Sequence, residues 1–527
     1  MAASRAGLIC VEGRMRRYIN GKSLVFALII MAYLASRLYR LTQIPIFLDE
    51  AIHIMVAKGA MAGDLSAGIS LGKWLSLQTY GLFLRPFHDL LWGARFLEVL
   101  IGLSIIILLY VEGCSFGDSP AGTRGTVSAI IYLVAPYALF KDRLALTDQF
   151  ITLSLLGIVL VSYRLVKKYS GIHLFILWLI LSVSVLFKTT GVFLFPIPLV
   201  VILMASDREH LVSHIKKMAI VYLLYFPPLV YFLTHFAPEG EKSKLALDTS
   251  FTSRAGMAYD SIGEMAGIFW KMLTPGLCLF LLGGCAALLV LAREQESRRR
   301  ASAMLLMIVV LLLPFIFFFQ TWYPRYLLAV LVPIAILGGE IGHCIVTYAA
   351  GLRGRTAALA TASVITGLFL ANPAVSSCRM LLNPITYPYP DVLREEYISG
   401  STSGYGLSES LQFINDLARN EPNGINVICL PTWDVPLFGL GVFRNELDPR
   451  INVQVAAWNP IETAAILRQF VSSGLPTYLL FNEAYPYPGD KDVLAAITAT
   501  FKTREMRHFI KPGNQPGLSL LQLELRN

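Results

Sequence analysis

The chain has 527 residues, of which 55% are hydrophobic and only 15% are charged, and its mean hydropathy is +0.60. This is more apolar surface than a soluble protein buries, so a soluble globular protein is excluded and much of the surface is expected to face lipid. The formal net charge of +9 comes from short basic clusters between apolar runs, a pattern that indicates membrane topology and excludes nucleic acid as the expected partner.

Apolar runs of about 17 to 25 residues predict about eleven transmembrane helices, and the first run is interpreted as a retained helix because no cleavage site follows it. The runs are centred near residues 30, 102, 133, 154, 180, 197, 227, 278, 310, 334 and 365. The basic residues between them, which include Arg16, Arg164, Lys217 and Arg300, fall on one side. The positive-inside rule therefore predicts a cytoplasmic N-terminus in a polytopic α-helical membrane protein. The bacterial inner membrane is the expected location.

An odd number of spans places the C-terminal part of the chain outside the cytoplasm. Residues 1–375 are predicted to form the transmembrane domain and residues 376–527 a small extracytoplasmic α/β domain. The tail has helical patterns at 408–420 and after Pro460, with Asn459 as the expected N-cap and Gly474 as the stop, and strand patterns at 425–431, 451–458 and 476–482. Cys378 and Cys429 lie in this oxidising compartment, where a disulfide between them is one alternative.

The first extracytoplasmic loop, residues 42–90, contains IPIFLDEAIHIMVAKG, with helical character from 48 to 61. Asp49 and Glu50 are adjacent, and neighbours on a helix point about 100° apart, so we expect them to have different roles. Catalysis competes evenly with a structural role in which Asp49 caps the helix and Glu50 favours its first turn. His53 lies four residues after Asp49 on the same face, where it forms either a metal pair or, as favoured here, a hydrogen bond.

The segment FKDRLALTDQF connects the third and fourth predicted helices. Ionisable groups at this depth are costly unless they are paired or functional, so Arg143 and Asp148 are candidate substrate-binding residues. Lys141 and Asp142 are expected to be solvated at the rim. The alternative is a structural ion pair from Arg143 to Asp148 or Asp142.

Two further segments carry cations. In LFKTTGVFLFP, Lys188 precedes a hinge that ends at Gly191 between the fifth and sixth helices, where a lysine is able to meet a phosphate; the alternative is a snorkelling lysine. In QTWYPRYLLAVLVP, Arg325 lies among aromatic residues, a pattern typical of an aromatic belt with an anchoring arginine. Together the loops place carboxylates and cations on one side of the membrane.

The order of these features resembles the GT-C glycosyltransferases, in the branch that contains protein O-mannosyltransferases and lipid A aminoarabinose transferases. The resemblance covers about residues 24 to 340 and rests on the first-loop Asp-Glu, LGKWLSLQTYGLF, GARFLEVLIGL, DRLALTDQ, FKTTG and RYLLAVLVP. The segment ISGSTSGYGLSESLQFI extends it loosely into the tail. It implies transfer of a sugar, mannose or another hexose or pentose, from a polyprenyl-phosphate donor to a lipid, glycan or protein acceptor.

The resemblance also implies residue roles. Asp49 corresponds to the loop aspartate that acts as base, and Glu50 to its acidic neighbour. The remaining substrate-binding candidates are Arg143, Asp148, Lys188, Arg325, Lys73 and His53, although KWLSLQ departs from the usual lysine-proline-proline pattern at Lys73. Some relatives use a divalent metal ion and others do not, so both alternatives stay open. The chain lacks the outer insertion of eukaryotic protein mannosyltransferases, so protein mannosylation is not favoured.

A base and cations suffice for this chemistry, because polyprenyl phosphate is an adequate leaving group, and direct displacement predicts inversion at the anomeric carbon. A transporter or flippase of a lipid-linked or anionic substrate is the main alternative. It predicts midplane charges and internal repeats, whereas the charges here gather at one face. A non-catalytic membrane scaffold is the third hypothesis.

Overall fold

A computed structural model describes residues 23–115, 122–236, 251–291, 294–317, 319, 322–353, 355–430, 434–455, 460–484, 488–513 and 515–526. The chain divides into two compact units. The first unit contains Met1–Tyr39, Leu65–Thr79 and Arg95–Asn383, and the second contains Arg40–Asp64, Tyr80–Ala94 and Pro384–Asn527. Segments of the predicted first extracytoplasmic loop therefore group with the C-terminal part of the chain. The predicted boundary between residues 375 and 376 stays a prediction.

The first unit is helical. Its helices are Ser23–Leu38, Leu90–Ser115, Thr123–Val134, Pro136–Lys141, Asp148–Lys167, Gly171–Phe187, Ile197–Ala205, Arg208–Phe236, Phe251–Met272, Thr274–Leu291, Gln295–Phe317, Leu331–Arg353 and Arg355–Leu382. The 3-10 turns Thr189–Leu194 and Pro324–Val330 interrupt this pattern. The helix Trp74–Leu84 begins in this unit and ends in the second, and Leu90–Ser115 begins in the second unit and continues in the first from Arg95.

Within the described residues, five helices are long and apolar enough to cross a membrane, and a pair bent by 108° makes a sixth if it is one span. The five are Leu90–Gly113, Asp148–Lys167, Gln295–Phe317, Pro324–Gly351 and Val364–Leu382. Shorter apolar helices occupy Ser23–Leu38, Thr123–Val134, Gly171–Phe187 and Thr189–Ala205. Several predicted spans are thus short or broken, since proline and extended residues interrupt them. The number of eleven spans stays a prediction.

Arg300 marks a buried charge network in the first unit. Its guanidinium lies 2.7 Å from Glu112 and 2.8 Å from Glu340, and Glu340 also contacts Arg124 at 3.1 Å. These side chains come from four helices and are almost completely inaccessible. Buried charges of this kind are tolerated because each has an opposite partner. Arg300, one of the basic residues from which the cytoplasmic side was predicted, therefore also connects helices of the first unit.

The second unit contains a five-stranded sheet, and its strands are β1 (Ile425–Cys429), β2 (Ile451–Val455), β3 (Thr477–Asn482), β4 (Phe501–Lys511) and β5 (Gln515–Leu525). Their order in the sheet is β2-β1-β3-β5-β4. The pairs β1–β2 and β1–β3 are parallel, and β3–β5 and β4–β5 are antiparallel. The three strand patterns of the sequence correspond to β1, β2 and β3. The hairpin β4–β5 was not predicted, because only a few of the residues in its first strand are buried.

Helices cover this sheet at Leu407–Asn420, Val435–Val442, Pro460–Val471 and Pro488–Thr500. Side chains from sheet and helices form one apolar core, which includes Ile428, Leu467, Leu479, Ile497 and Phe501. The helix after Pro460 begins where it was predicted, while its expected cap, Asn459, lies outside the described residues. Cys378 and Cys429 are both free thiols, so the disulfide considered from the sequence is not formed.

Candidate active site

Lys188 lies at a break between two helices. The helix Gly171–Phe187 ends before it, its backbone is extended at φ −162° and ψ 139°, and a 3-10 turn follows at Thr189–Leu194. Gly191 makes this break feasible, because a Cβ atom there would lie 2.3 Å from the carbonyl oxygen of Ser184. The hinge predicted at Lys188 to Gly191 is confirmed.

The Lys188 ammonium pairs with the Asp148 carboxylate. The distance from Nζ to Oδ1 is 2.5 Å, and both side chains are buried. The ammonium also lies 4.7 Å from the ring centre of Tyr326, at a distance typical of a cation–π contact. A buried lysine with these two partners is held in place, so Lys188 does not snorkel.

A half-open pocket lies beside this ion pair in the first unit, with about 420 Å³ of empty space that includes its open side. Asp148, Arg325 and Tyr326 line it, together with mainly apolar side chains that include Phe193, Leu311 and Phe315. Arg325 lies over the ring of Tyr323, 4.5 Å from its centre. Among the described residues, none donates a hydrogen bond to Asp148 Oδ2. The pocket therefore combines apolar walls with a carboxylate and a guanidinium.

The segment around Lys73 contacts the break from the first loop. The backbone N–H of Thr189 donates to the carbonyl of Gly72 at 2.9 Å, and the Ser76 hydroxyl donates to the carbonyl of Phe187 at 2.7 Å. These bonds satisfy backbone groups that the interrupted helix leaves without their usual partners. Lys73 is half-buried and lies between Gly72 and Ser76 in the sequence. It is therefore next to the break that carries Lys188.

Arg143 and its neighbours are arranged differently from the prediction. Lys141 and Asp142 were expected to be solvated at the rim, and this was wrong, because they are 2% and 0% exposed. Asp142 pairs with Arg37 at 3.1 Å and also accepts from Tyr132. Sequence could not reveal this pairing, because 105 residues separate Arg37 from Asp142.

The ion pair considered between Arg143 and Asp148 or Asp142 is not formed, because the two carboxylates pair with Lys188 and Arg37. Arg143 is buried and its Nη2 donates to the backbone carbonyl of Tyr39 at 2.8 Å. Asp148, Lys188 and Arg325 are thus brought together at the pocket, while Arg143 contacts the end of the first apolar helix.

Asp49, Glu50 and His53 lie in the second unit, on the helix Leu48–Met61. Phe47 is the N-cap residue, so the alternative in which Asp49 caps the helix was wrong. The buried Glu50 satisfies the helix start instead, since its Oε2 accepts from the backbone N–H of Phe47 at 2.9 Å. Asp49 is partly exposed and His53 is buried. Asp49 and Glu50 therefore lie in different environments, which agrees with the expectation that they have different roles.

The glycine-rich segment of residues 400–404 connects this helix with the sheet of the second unit. The backbone N–H of Leu48 donates to the carbonyl of Thr402 at 3.0 Å. Asn482, at the end of β3, donates to the carbonyl of Ser401, and Lys511, at the end of β4, donates to that of Gly400. At the other end of the helix, Lys58 donates to the carbonyl of Gly441. The sheet therefore holds the helix that carries Asp49.

The described residues contain no cluster of three or more His, Cys, Asp or Glu side chains arranged to hold a metal ion. Two features of the site were not predicted: the contact of Tyr326 with Lys188 and the Arg37–Asp142 pair. Tyr326 had a signal, because it follows Arg325 directly in an aromatic segment. Arg37 had none beyond being a charge at the end of an apolar run.

Comparison with known proteins agrees with this architecture. The family model for dolichyl-phosphate-mannose-protein mannosyltransferase matches residues 75–232. A search of curated proteins found no match.

Solved structures match over almost the whole chain. ArnT from Cupriavidus metallidurans bound to undecaprenyl phosphate is 14% identical, with a TM-score of 0.51 and coverage of 95% of this chain and 97% of that one. Its apo state is 12% identical, with a TM-score of 0.50 and coverage of 97% and 98%. The apo oligosaccharyltransferase from Archaeoglobus fulgidus is 11% identical, with a TM-score of 0.53 and coverage of 90% and 71%. The resemblance to the GT-C glycosyltransferases is thereby confirmed, and the chain has their fold.

Proposed function

We propose that this chain, which has the GT-C glycosyltransferase fold, transfers a sugar from a polyprenyl-phosphate donor to an acceptor on the outer face of the membrane, with inversion at the anomeric carbon. The donor sugar is mannose or another hexose or pentose, and the acceptor is a lipid, a glycan or a protein. The proposed location is a bacterial cytoplasmic membrane, with the N-terminus in the cytoplasm and the C-terminal domain outside.

The observation that carries this proposal is the buried Lys188–Asp148 pair at a helix break beside a largely apolar pocket. A polyprenyl phosphate has an anionic head and an apolar chain, and such a pocket suits both parts. Lys188 and Arg325 are cations that stabilise the negative charge that develops on the phosphate as the sugar leaves. Asp148 orients Lys188, and its second oxygen accepts no hydrogen bond from the described residues.

Asp49 is the proposed base that accepts the proton of the acceptor hydroxyl. It is the partly exposed member of the acidic pair, while Glu50 is buried at the helix start. A general base must reach its substrate, so exposure favours Asp49 over Glu50. We assign Glu50 a positioning role. Arg143, Lys73 and His53 remain proposed substrate-binding residues.

Two structures of the same fold support the choice of substrates. ArnT from Cupriavidus metallidurans was solved with undecaprenyl phosphate, and the Archaeoglobus fulgidus oligosaccharyltransferase was solved with a tethered acceptor peptide. A lipid phosphate and an acceptor are therefore ligands that this fold accommodates. For the present chain, both are part of the proposal.

The test is a transfer assay with the purified full-length protein and a panel of undecaprenyl-phosphate-linked sugars. Mass analysis of envelope glycans and glycolipids from cells that lack the protein would choose the panel. Asp49→Asn is expected to abolish transfer while undecaprenyl phosphate still binds with unchanged affinity. Full turnover by this variant would remove Asp49 as the base.

The same protein in vesicles separates the transporter alternative from transfer. Movement of a lipid-linked sugar across the bilayer, without transfer to any acceptor, would support a flippase and contradict the proposal. A chelator added to the transfer assay tests whether a divalent metal ion is required. Loss of transfer that is restored by added metal would show a requirement.

A further inference from the structure

A second pocket in the first unit lies at the opposite end of the helix Asp148–Lys167 from the Lys188–Asp148 pair. It is half open, with about 220 Å³ of empty space that includes its open side, and is lined by Leu165, Val166, Tyr169, Leu174, Ile202, His214, Lys217 and Met218. Leu165 follows Asp148 by about 17 residues, which places the two pockets about 25 Å apart along the helix axis. The function proposed above does not use this second pocket.

The lining residues divide into an apolar part and a polar part. The apolar part consists of the buried Leu165, Ile202 and Met218 and the half-buried Val166 and Leu174. Lys217 extends over the exposed ring of Tyr169, with its ammonium 3.9 Å from the ring centre. His214 contacts the hydroxyl of Ser206 at 3.0 Å. The apolar residues are complementary to the acyl chain of a lipid. The cation and the aromatic ring are complementary to its headgroup.

The position of the pocket along the helices also indicates the membrane surface. One apolar helix ends at Lys167, the next begins at Gly171, and the helix Ile197–Ala205 ends close to the polar start of Arg208–Phe236. Ends of apolar helices lie at the level of the lipid headgroups, where tyrosine and lysine side chains are favoured. The sequence predicts that this end faces the cytoplasm.

The charges around the pocket are unbalanced. Two acids on neighbouring segments, Asp207 and Glu296, are engaged by Arg299 at 2.7 Å and Lys167 at 3.2 Å, and Glu209 is exposed in the first turn of the helix that carries Lys217. Among the described residues, no carboxylate lies within ion-pair distance of Lys217, and Lys168 and Lys216 are exposed close by in sequence. A cation without a protein counter-ion beside an apolar pocket is complementary to an anionic lipid headgroup.

We propose that the pocket of Tyr169, His214 and Lys217 binds the headgroup of an anionic phospholipid of the surrounding bilayer, with the upper part of an acyl chain against the half-buried Val166 and Leu174. Lys217 and Tyr169 recognise the phosphodiester and the apolar residues recognise the chain. This site is separate from the one proposed for the polyprenyl phosphate, and it needs no transfer activity.

The experiment is a lipid titration of the full-length protein in detergent, followed by native mass spectrometry. The probes are dioleoyl phosphatidylglycerol and dioleoyl phosphatidylcholine, which share their acyl chains and differ in net charge. We expect tighter binding of phosphatidylglycerol, and Lys217→Gln is expected to weaken it about fivefold, the effect of one basic residue near an anionic surface. Lys217→Arg, which keeps the charge, is expected to retain binding.

Lys216→Gln is the matched control, because it removes the same charge from the adjacent residue, which is exposed and does not line the pocket. Equal weakening by Lys216→Gln and Lys217→Gln would indicate diffuse surface attraction and overturn the site. Equal binding of the two lipids would also overturn it. Displacement of the lipid by soluble glycerol phosphate would show that the pocket recognises a free phosphate rather than a lipid. Melting temperatures of all variants show whether they are folded.

Discussion

Lys188 Nζ lies 2.5 Å from Asp148 Oδ1, joining the break between two helices to the first turn of a third. Each residue is the counter-charge of the other in a buried environment. Removing one partner leaves a buried charge without compensation, and such changes cost about 3–5 kcal/mol. The pair therefore has a structural role in addition to its proposed role at the phosphate, and a test must separate the two.

We predict that Lys188→Met weakens undecaprenyl phosphate binding at least tenfold and lowers the melting temperature. The double variant with Asp148→Leu is expected to recover stability, because no buried charge is left alone, but not to recover lipid-phosphate binding. Isothermal titration and thermal melting measure the two effects. Lys168→Gln, an exposed lysine at the other end of the helix Asp148–Lys167, serves as control. Recovery of binding by the double variant would contradict a phosphate-binding role for Lys188.

The two adjacent acids of the first loop are predicted to respond differently. Asp49→Asn is expected to remove transfer with little change in melting temperature, because Asp49 is partly exposed. Glu50→Ala is expected to destabilise the protein by about 1–2 kcal/mol, because it removes the acceptor for the Phe47 N–H at the helix start. Glu50→Gln keeps an acceptor oxygen and should retain most of this stability. Similar effects of Asp49→Asn and Glu50→Ala on both measurements would disagree with the assigned roles.

Gly191 is predicted to be essential for the break beside Lys188. Its substitution by alanine places Cβ 2.3 Å from the carbonyl oxygen of Ser184, and backbone atoms cannot move away as a flexible side chain would. We expect a loss of about 1–3 kcal/mol of stability together with weaker undecaprenyl phosphate binding.

Gly171→Ala is the matched control for Gly191→Ala. Gly171 begins the same helix that ends at the break, and an added Cβ there would meet nothing within 4 Å. Thermal melting and lipid-phosphate titration of both variants check the prediction. Wild-type behaviour of Gly191→Ala would show that the break tolerates a side chain.

Lys511 is predicted to make the stability of the protein depend on pH. Burial lowers the pKa of Lys511 from its ordinary value of 10.5 to about 8, and nearby Asp434 opposes this shift. Between pH 8 and pH 10.5 the unfolded chain binds the Lys511 proton more strongly than the folded chain does. The free energy of unfolding therefore rises with pH from about 8 to about 10.5. The rise is on the order of 3 kcal/mol at most.

Thermal melting of the full-length protein between pH 7 and pH 10.5 measures this effect as the difference from Lys511→Met, which lacks the titrating group. The difference is expected to shift in favour of the wild type as the pH rises through 8. Lys502→Met, on the exposed side of β4, controls for a lost lysine without burial. A difference between wild type and Lys511→Met that does not change with pH would contradict the prediction.

Several features were predictable from local sequence. The helical pattern at 48–61 became the helix Leu48–Met61, and the strands β1, β2 and β3 lie within the segments that were predicted for them. The break at Lys188 was also predicted, because the Thr-Thr-Gly sequence interrupts an apolar run that would otherwise continue as a helix. These features depend on periodicity, hydropathy and backbone preference, which act within a few residues.

The partners of the charged residues were not predictable in this way. Asp142 was expected at the solvated rim, but it is buried against Arg37, and Asp148 pairs with Lys188 rather than Arg143. Each carboxylate had several candidate cations in the neighbouring loops. Separation along the chain does not indicate which of these cations it contacts. Helix packing chooses one partner by bringing two remote side chains within reach.

By itself, the sequence determined that this is a multi-helical membrane protein with an acidic pair in its first loop and a lysine at a helix break, because hydropathy and local backbone preference set these features. Only the tertiary structure decided that Glu50 closes the start of its helix, that Lys188 shares Asp148, and that the glycine-rich segment after Ser399 holds the helix of Asp49. The physical reason is that a buried polar group must find a partner, and which partner it finds depends on how distant elements pack together.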